Sequence, residues 1–431
     1  MIAKTRTIHN VLDLTTTLPS IKYTNPKKVY ISVENALCKT GEVYVKPGDK
    51  VKIGTVIGQR QGNGFLQNMH STVSGTVLGI VKKWHRTGKM LNFVEIENDF
   101  LDSYEPTIYK RTDEEVASYT REDIIERCKE NSCVGLGGST FPTYVKLETS
   151  HDIDTLIING VECEPYLTAD HRTLLEYPSE IFEGISYLLK ATGANKAYLC
   201  FKKKYDDLFQ VLSAEKKRHM EMPIEVKRVE NFYPQGWEVA LIKEVTGKTI
   251  PHGELPSHHG VVVVNASSAL GVYRAVRFNM PVIERNFTVT GDGIKYPSNI
   301  RIRVGTALPD LVELCGGYVD DKPKTLIMGG PMMGVALLKD DVVCTTSSTL
   351  ALILEERNYK EEPCIRCASC VYSCPCNLEP VLIMKAVKIK DTAALKKLRA
   401  DECILCGMCG YTCTSKINLT DYMRQAKKLV K

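Results

Sequence analysis

Cys364-Ile-Arg-Cys367-Ala-Ser-Cys370-Val-Tyr-Ser-Cys374-Pro375 and Cys403-Ile-Leu-Cys406-Gly-Met-Cys409-Gly-Tyr-Thr-Cys413 share one spacing, C-x2-C-x2-C-x3-C. Three closely spaced thiolates converge on three irons of a cubane, and the fourth cysteine crosses to the cluster of the other run. The spacing therefore assigns Cys364, Cys367, Cys370 and Cys413 to one [4Fe–4S] cluster. Cys403, Cys406, Cys409 and Cys374 go to a second. A cluster pair carries single electrons, so the rest of the chain is read for their source and destination.

Rival chemistries fit less well. Zinc sites use C-x2-C pairs rather than triplets with a fourth cysteine at x3. Disulfide frameworks belong to small secreted chains, whereas this one has 431 residues and sixteen cysteines. Eight of those are taken by the two runs. The other eight, Cys38, Cys128, Cys133, Cys163, Cys200, Cys315, Cys344 and Cys376, have no framework spacing. Free thiols beside oxygen-sensitive clusters point to a reducing cytoplasm. Residues Met1 to Asn10 are polar, without the apolar core of a leader. No run reaches the roughly 20 apolar residues of a spanning helix. The formal net charge is +5, and Glu355–Lys431, with 14 Lys/Arg against 9 Asp/Glu, holds all of the excess. Thiolate-ligated clusters offset much of that charge, a better reading than nucleic-acid binding, for which no basic–aromatic interleaving argues.

Upstream, Lys27 to about Asp99 reads as short strands broken by turns, including Pro47-Gly-Asp49 and a strand pair around Gly75. The unit resembles the barrel-sandwich fold of biotinyl and lipoyl carriers, but Gln61–Val81 lacks the lysine such carriers need, so it reads as a docking or packing module. Glu114–Lys129 reads as one helix. Val134-Gly-Leu-Gly-Gly-Ser-Thr-Phe-Pro-Thr-Tyr-Val-Lys146 follows. Gly135, Gly137 and Gly138 allow close approach of backbone to a flat or phosphorylated ligand, and Lys146 adds a positive charge. Thr155–Ile158 is a buried strand that runs into Asn159-Gly-Val-Glu162-Cys-Glu164-Pro165, at the strand end where α/β sheets bind ligands. The α/β alternation continues through helix 179–192, strand 196–201, helix 239–245 and strand 261–264. The histidines of 251–259 read as an exposed loop. Phe287–Gly305 is a strand–turn–strand unit, and Gly329-Gly-Pro-Met-Met-Gly334 is a glycine-rich turn without an assigned role.

Taken together, the carrier-like sandwich, G-L-G-G-x-x-F-P-T, N-G-x-E-C-E-P, Y-P-Q-G, a β-grasp unit and paired cysteine runs resemble the RnfC family of the Rnf electron-transport complex. The resemblance extends over the chain from about Lys27. The middle is also similar to the NADH-oxidising flavoprotein of respiratory complex I. This implies a multidomain α/β protein: a barrel-sandwich hybrid over 1–108, a Rossmann-like FMN/NADH domain over 109–285, an SLBB β-grasp with a connecting segment over 286–355, and a helical ferredoxin-like domain with two [4Fe–4S] clusters over 356–431. The resemblance places FMN on Gly135, Gly137, Gly138, Lys146, Asn159, Glu162, Gly236 and Asn265. It places NADH against Phe141, with Glu164, Tyr233 and Glu238 orienting it.

There are three departures: no G-G-x-H-P opening, Ser139-Thr140 in the glycine loop, and Trp237. They point to a soluble paralogue like the electron-transfer protein of clostridial proline reductase. Partners implied are then an amino-acid reductase or, alternatively, the other Rnf proteins, with peripheral membrane association through them. Two functional classes stand: an NADH-dependent oxidoreductase, and a cluster relay without nicotinamide chemistry. Phe141, Lys146, Glu164 and Glu238 favour the enzyme. Cys133, next to the loop, reads as a small buried hydrophobe or as a redox thiol activated by loop amides.

Overall fold

A computed structural model describes residue 8 and residues 14–62, 64–357 and 359–430. The leader reading falls largely on residues 1–7 and 9–10, outside the described residues. The central sheet forms because its strands are short apolar runs, Val261–Asn265 being four valines and an asparagine. Four parallel strands lie in the order Ile224–Val229, Lys196–Lys202, Thr155–Asn159, Val261–Asn265. Register aligns Asn159 with Asn265, so two polar side chains end adjacent strands on one edge. Parallel sheets are covered on both faces. Pro178–Thr192 and Ala266–Phe278 cover one face and join its apolar core. They cross so closely that a Cβ at Gly184 would lie 2.3 Å from the Ala269 carbonyl oxygen.

The expected single helix over Glu114–Lys129 is two, Asp113–Ser118 and Arg121–Glu130. Thr120 starts the second with a capping box: Asp123 N–H donates to its hydroxyl, and the Asp123 carboxylate accepts from the Thr120 N–H.

In the sandwich, Lys28–Ser32, Lys50–Val51, Gly75–His85 and Lys89–Asn98 form one sheet, and Cys38–Val43, Val56–Gly62 and Leu66–His70 the other. The strand pair read around Gly75 is instead a crossing. Leu66–His70 belongs to one sheet and Gly75–His85 to its partner. Gly75 is needed there, since a Cβ would fall 1.8 Å from the Glu97 carbonyl oxygen. The β-grasp sheet recruits segments from both sides: Ile21–Tyr23 pairs with Ser298–Arg303, and Leu350–Glu355 with Glu284–Thr290 and Lys324–Met328.

The C-terminal unit packs Pro380–Lys388 and Leu419–Leu429 together over the cysteine runs. No described helix is long and apolar enough to cross a membrane.

Candidate functional site

The glycine loop closes on itself before it meets any ligand. Gly135 N–H donates to the Phe141 carbonyl at 2.9 Å, and Thr140 N–H to the Gly135 carbonyl at 2.9 Å. The start of helix Ala266–Phe278 holds it: the Ser268 hydroxyl donates to the Val134 carbonyl at 2.9 Å and accepts from Leu136 N–H at 2.8 Å. Gly138 sits at φ +106°, a conformation that L side chains rarely adopt, and a Cβ at Gly137 would press on Asn265 Nδ2 at 3.2 Å. The sandwich grips the same loop from outside. Arg86 donates to the Gly138 carbonyl at 3.0 Å, and the Phe65 ring meets Phe141 edge-on with centroids 6.0 Å apart. These contacts pack the sandwich against the loop.

The loop and the strand ends enclose a cavity of about 390 Å³, within the roughly 300–1,000 Å³ of small-molecule sites. It is lined by Gly135, Gly137, Phe141, Lys146, Asn159, Glu162, Glu164, Tyr233, Gly236, Glu238 and Asn265. Of the residues expected to hold FMN or NADH, only Gly138 is off this wall. Lys146 Nζ is 3.1 Å from Glu238 Oε1 and donates to the Val263 carbonyl at 2.9 Å. Phe141, Lys146, Glu238 and Val263 are also walls of a second chamber of about 340 Å³, so the ion pair stands between two adjoining spaces. The walls combine glycine backbone, a lysine and carboxylates, residue types that hold phosphate and ribose groups in other nucleotide sites.

Several expected ligand residues have structural partners. Asn159 Nδ2 donates to the Gly236 carbonyl at 2.9 Å, and its Oδ1 accepts from Val161 N–H at 3.0 Å. Glu162 is buried and accepts from Asp170 N–H at 2.7 Å and His171 N–H at 3.0 Å, at the start of helix Ala169–Glu176. Burial, then the Asp170 charge, pushes its carboxyl up to about 8. Asp170, which the sequence did not single out, accepts from Asn265 Nδ2 at 2.6 Å and from the Ser267 hydroxyl. Burial pushes Glu164 up to about 7. Its two oxygens accept from Met332 N–H at 3.0 Å and Met333 N–H at 2.7 Å. Tyr233 is buried on the cavity wall, and its hydroxyl donates to the Cys406 carbonyl at 2.6 Å.

Cys133 is a correction. It is 1% exposed. A hydrogen bond with Cys128, with burial, pushes its thiol well above the usual range, whereas an activated thiol needs partial exposure and a lowered pKa. It is a core residue.

The same cavity is lined by Ile404 and Cys406. Both cysteine runs take one path. Arg366 and Ala368 in the first, and Leu405 and Gly407 in the second, adopt positive φ at equivalent positions, as do Asn377 and Lys416 after them. Cys364, Cys367, Cys370 and Cys413 surround a void of about 230 Å³. In the second group, the thiols of Cys403, Cys406 and Cys409 each feel that of Cys374. No three described His, Cys, Asp or Glu side chains converge at single-ion distance; the first group instead leaves cluster-sized space. Cys364 and Cys367 are exposed, whereas Cys403, Cys406 and Cys409 are buried.

A dinucleotide-type cavity that opens onto one of two cysteine nests defines a multidomain electron-transfer protein of mixed α/β fold. Family descriptions match in parts: the RnfC barrel sandwich hybrid domain over residues 7–101, the Nuo51 FMN-binding domain over 128–274 and the SLBB domain over 286–336. The chain is 35% identical over 348 residues to the C subunit of the Na(+)-translocating ferredoxin:NAD(+) oxidoreductase complex of Acetobacterium woodii, covering 79% of this chain and 76% of that one. It is 34% identical to the C subunit of the proton-translocating complex of Clostridium ljungdahlii, covering 83% and 78%. It is 33% identical to that of the ion-translocating oxidoreductase complex of Rhodobacter capsulatus, covering 86% and 72%.

The chain belongs to the RnfC family. It spans about half the length of some relatives, among them that of Cronobacter sakazakii. The fold is also that of a chain of a NAD+-reducing [NiFe]-hydrogenase, with TM-score 0.53, 19% identity and coverage of 72% of this chain and 63% of the other. These relatives lend no support to an amino-acid reductase as partner.

Proposed function

We propose that this chain takes electrons from NADH through FMN in the 390 Å³ cavity and passes them through two [4Fe–4S] clusters to the other proteins of an ion-translocating ferredoxin:NAD+ oxidoreductase complex. The observation that carries this is the shared wall: glycine loop, strand ends and Cys406 line one space. FMN, when bound, converts between hydride and single-electron transfer. The protein's own part is positional. Gly135, Gly137 and Gly138 let the loop approach a phosphate or ring, and Lys146 supplies positive charge. Glu164 and Glu238 offer acceptors to ribose hydroxyls, as acidic residues do in other dinucleotide sites. The buried group of Cys374, Cys403, Cys406 and Cys409 would hold the first cluster to receive an electron. Cys364, Cys367, Cys370 and Cys413 would hold the second, whose exposed edge suits hand-over. Peripheral attachment at the cytoplasmic membrane face follows from such partners.

The test is anaerobic reduction of a viologen by NADH, with protein loaded with FMN, iron and sulfide. Turnover, with loss of flavin retention in Lys146→Ala, is expected. Protein that holds both clusters but neither retains FMN nor oxidises NADH would leave only a cluster relay.

A further inference from the structure

The turn Gly329–Gly334 touches two parts of the site, the Glu164 carboxylate and the loop that carries Cys406. On one side, consecutive amides of Met332 and Met333 donate to the two oxygens of Glu164 at 3.0 and 2.7 Å. The turn can close on that carboxylate because residue 330 is glycine: it sits at φ +99°, and a Cβ there would lie 2.4 Å from Glu164 Oε2. Gly334 N–H ties back to the Gly330 carbonyl at 2.9 Å. On the other side, Met332 is 9% exposed and packs with Tyr233, Cys406 and Met408. Its carbonyl oxygen fits against Gly407, where a Cβ would fall 2.5 Å away. Gly407 directly follows Cys406. Met333 turns the opposite way, half exposed on the cavity wall.

We infer that Gly329–Gly334 is a positioning strut, coupling engagement of Glu164 by a ligand in the cavity to the packing around Cys406. A hydroxyl that donates to Glu164 shares the carboxylate with the two amides. The grip on Met332 then changes, and Met332 is one of the side chains that pack around Cys406. Coupling of this kind is reciprocal, so the state of the cluster also sets the affinity of the cavity. The inference rests on the cavity being the nucleotide site of the proposed function. It adds a route by which binding of a ribose-bearing ligand is reported to the cluster before any electron moves.

The probe is ADP-ribose, which carries the ribose hydroxyls and cannot accept a hydride. Holoprotein with reduced clusters is titrated with it, binding is measured by calorimetry, and EPR spectra are recorded with and without it. Wild type should bind, and the g values of the cluster associated with Cys406 should move on binding. Met332→Ala removes no cavity-lining atom and leaves both amide bonds to Glu164 available. It should keep the dissociation constant within about threefold and lose the spectral response, and Met332→Leu should restore it. Gly330→Ala should weaken binding by about tenfold and alter the spectrum without ligand. If ADP-ribose binds and the spectrum does not move, or moves equally in wild type and Met332→Ala, the strut is refuted while the cavity reading stands. If wild type binds no ADP-ribose and oxidises no NADH, the cavity reading fails and the strut with it.

Discussion

The Tyr233 hydroxyl donates to the carbonyl oxygen of Cys406 at 2.6 Å, across 173 residues of sequence. It joins the Y-P-Q-G turn of the dinucleotide-type domain to the backbone of a cysteine run. The hydroxyl is thus committed to the loop that carries Cys406, and Tyr233 lines the cavity beside Ile404 and Cys406.

Tyr233→Phe should separate these two roles. The ring stays, and the Cys406 carbonyl loses its donor. A buried carbonyl left unpaired costs about 1–3 kcal/mol, so the loop that carries Cys406 should loosen. Cluster loss under a chelator should quicken, and KM for NADH should change little. A large rise in KM with unchanged cluster retention would return Tyr233 to nucleotide orientation.

The Lys146–Glu238 pair should matter for ligands and hardly at all for folding. Both side chains are about a third exposed, 33% and 37%, and pairs of that kind contribute at most about 1 kcal/mol. Lys146→Ala should shift the melting temperature little while flavin retention falls. Glu238→Gln leaves the Lys146 bond to the Val263 carbonyl in place. It should raise KM for NADH more than it lowers kcat, since an interaction lost equally in ground and transition states acts on KM. Steady-state kinetics and flavin content after gel filtration read both effects.

Glu162 gives the stability a pH dependence of unusual sign for a carboxylate. Its folded pKa is raised to about 8 from the ordinary value of 4.5. Between those values the folded state binds more protons than the unfolded one, so stability falls as pH rises. The contribution is fully present below about 4.5 and lost above about 8. Glu162→Gln carries no titrating proton and can still accept from one helix amide. Its melting temperature should therefore decline less than that of wild type between about pH 5 and pH 8. Parallel decline in the two proteins would show that Glu162 is not the group responsible.

Much of this was legible because the chemistry is local. C-x2-C-x2-C-x3-C, the glycine loop and Asn159–Pro165 each present their residues within a few positions; the cysteine spacing points to cluster ligands, and the other two stretches carry the resemblance that implies FMN and NADH. What escaped depends on distant neighbours. The resemblance implies flavin contact for Glu162, which lines the cavity; that it also accepts from the first amides of a helix is visible only in the fold. Glu164 meets a turn 168 residues away. Asp170 lies inside an ordinary amphipathic helix, and only the fold brings Asn265 and Ser267 to it. Cys133 invited a redox reading by standing next to the loop. Its amide bond to the Cys128 carbonyl at 2.8 Å and its buried thiol place it behind the loop, in the core. Gly329–Gly334 was visible as a motif and silent as to role, because neither Glu164 nor Gly407 is near it in sequence.

Crossed ligation makes the sharpest genetic prediction. Cys374 lies in the first run, yet its thiol neighbours Cys403, Cys406 and Cys409. Cys413 lies in the second run and lines the void with Cys364, Cys367 and Cys370. Cys374→Ala should therefore damage the cluster next to the flavin cavity, so that NADH still reduces the flavin but electrons stop before the exposed cluster. Cys413→Ala should spare the first transfer and impair delivery to an external acceptor. Each variant should keep about four of the roughly eight irons expected for two cubanes. Low-temperature EPR of the reduced proteins, with stopped-flow absorbance of flavin and clusters, distinguishes the two. If Cys374→Ala instead removes the cluster of Cys364, Cys367 and Cys370, each run binds its own fourth iron and the crossing is wrong.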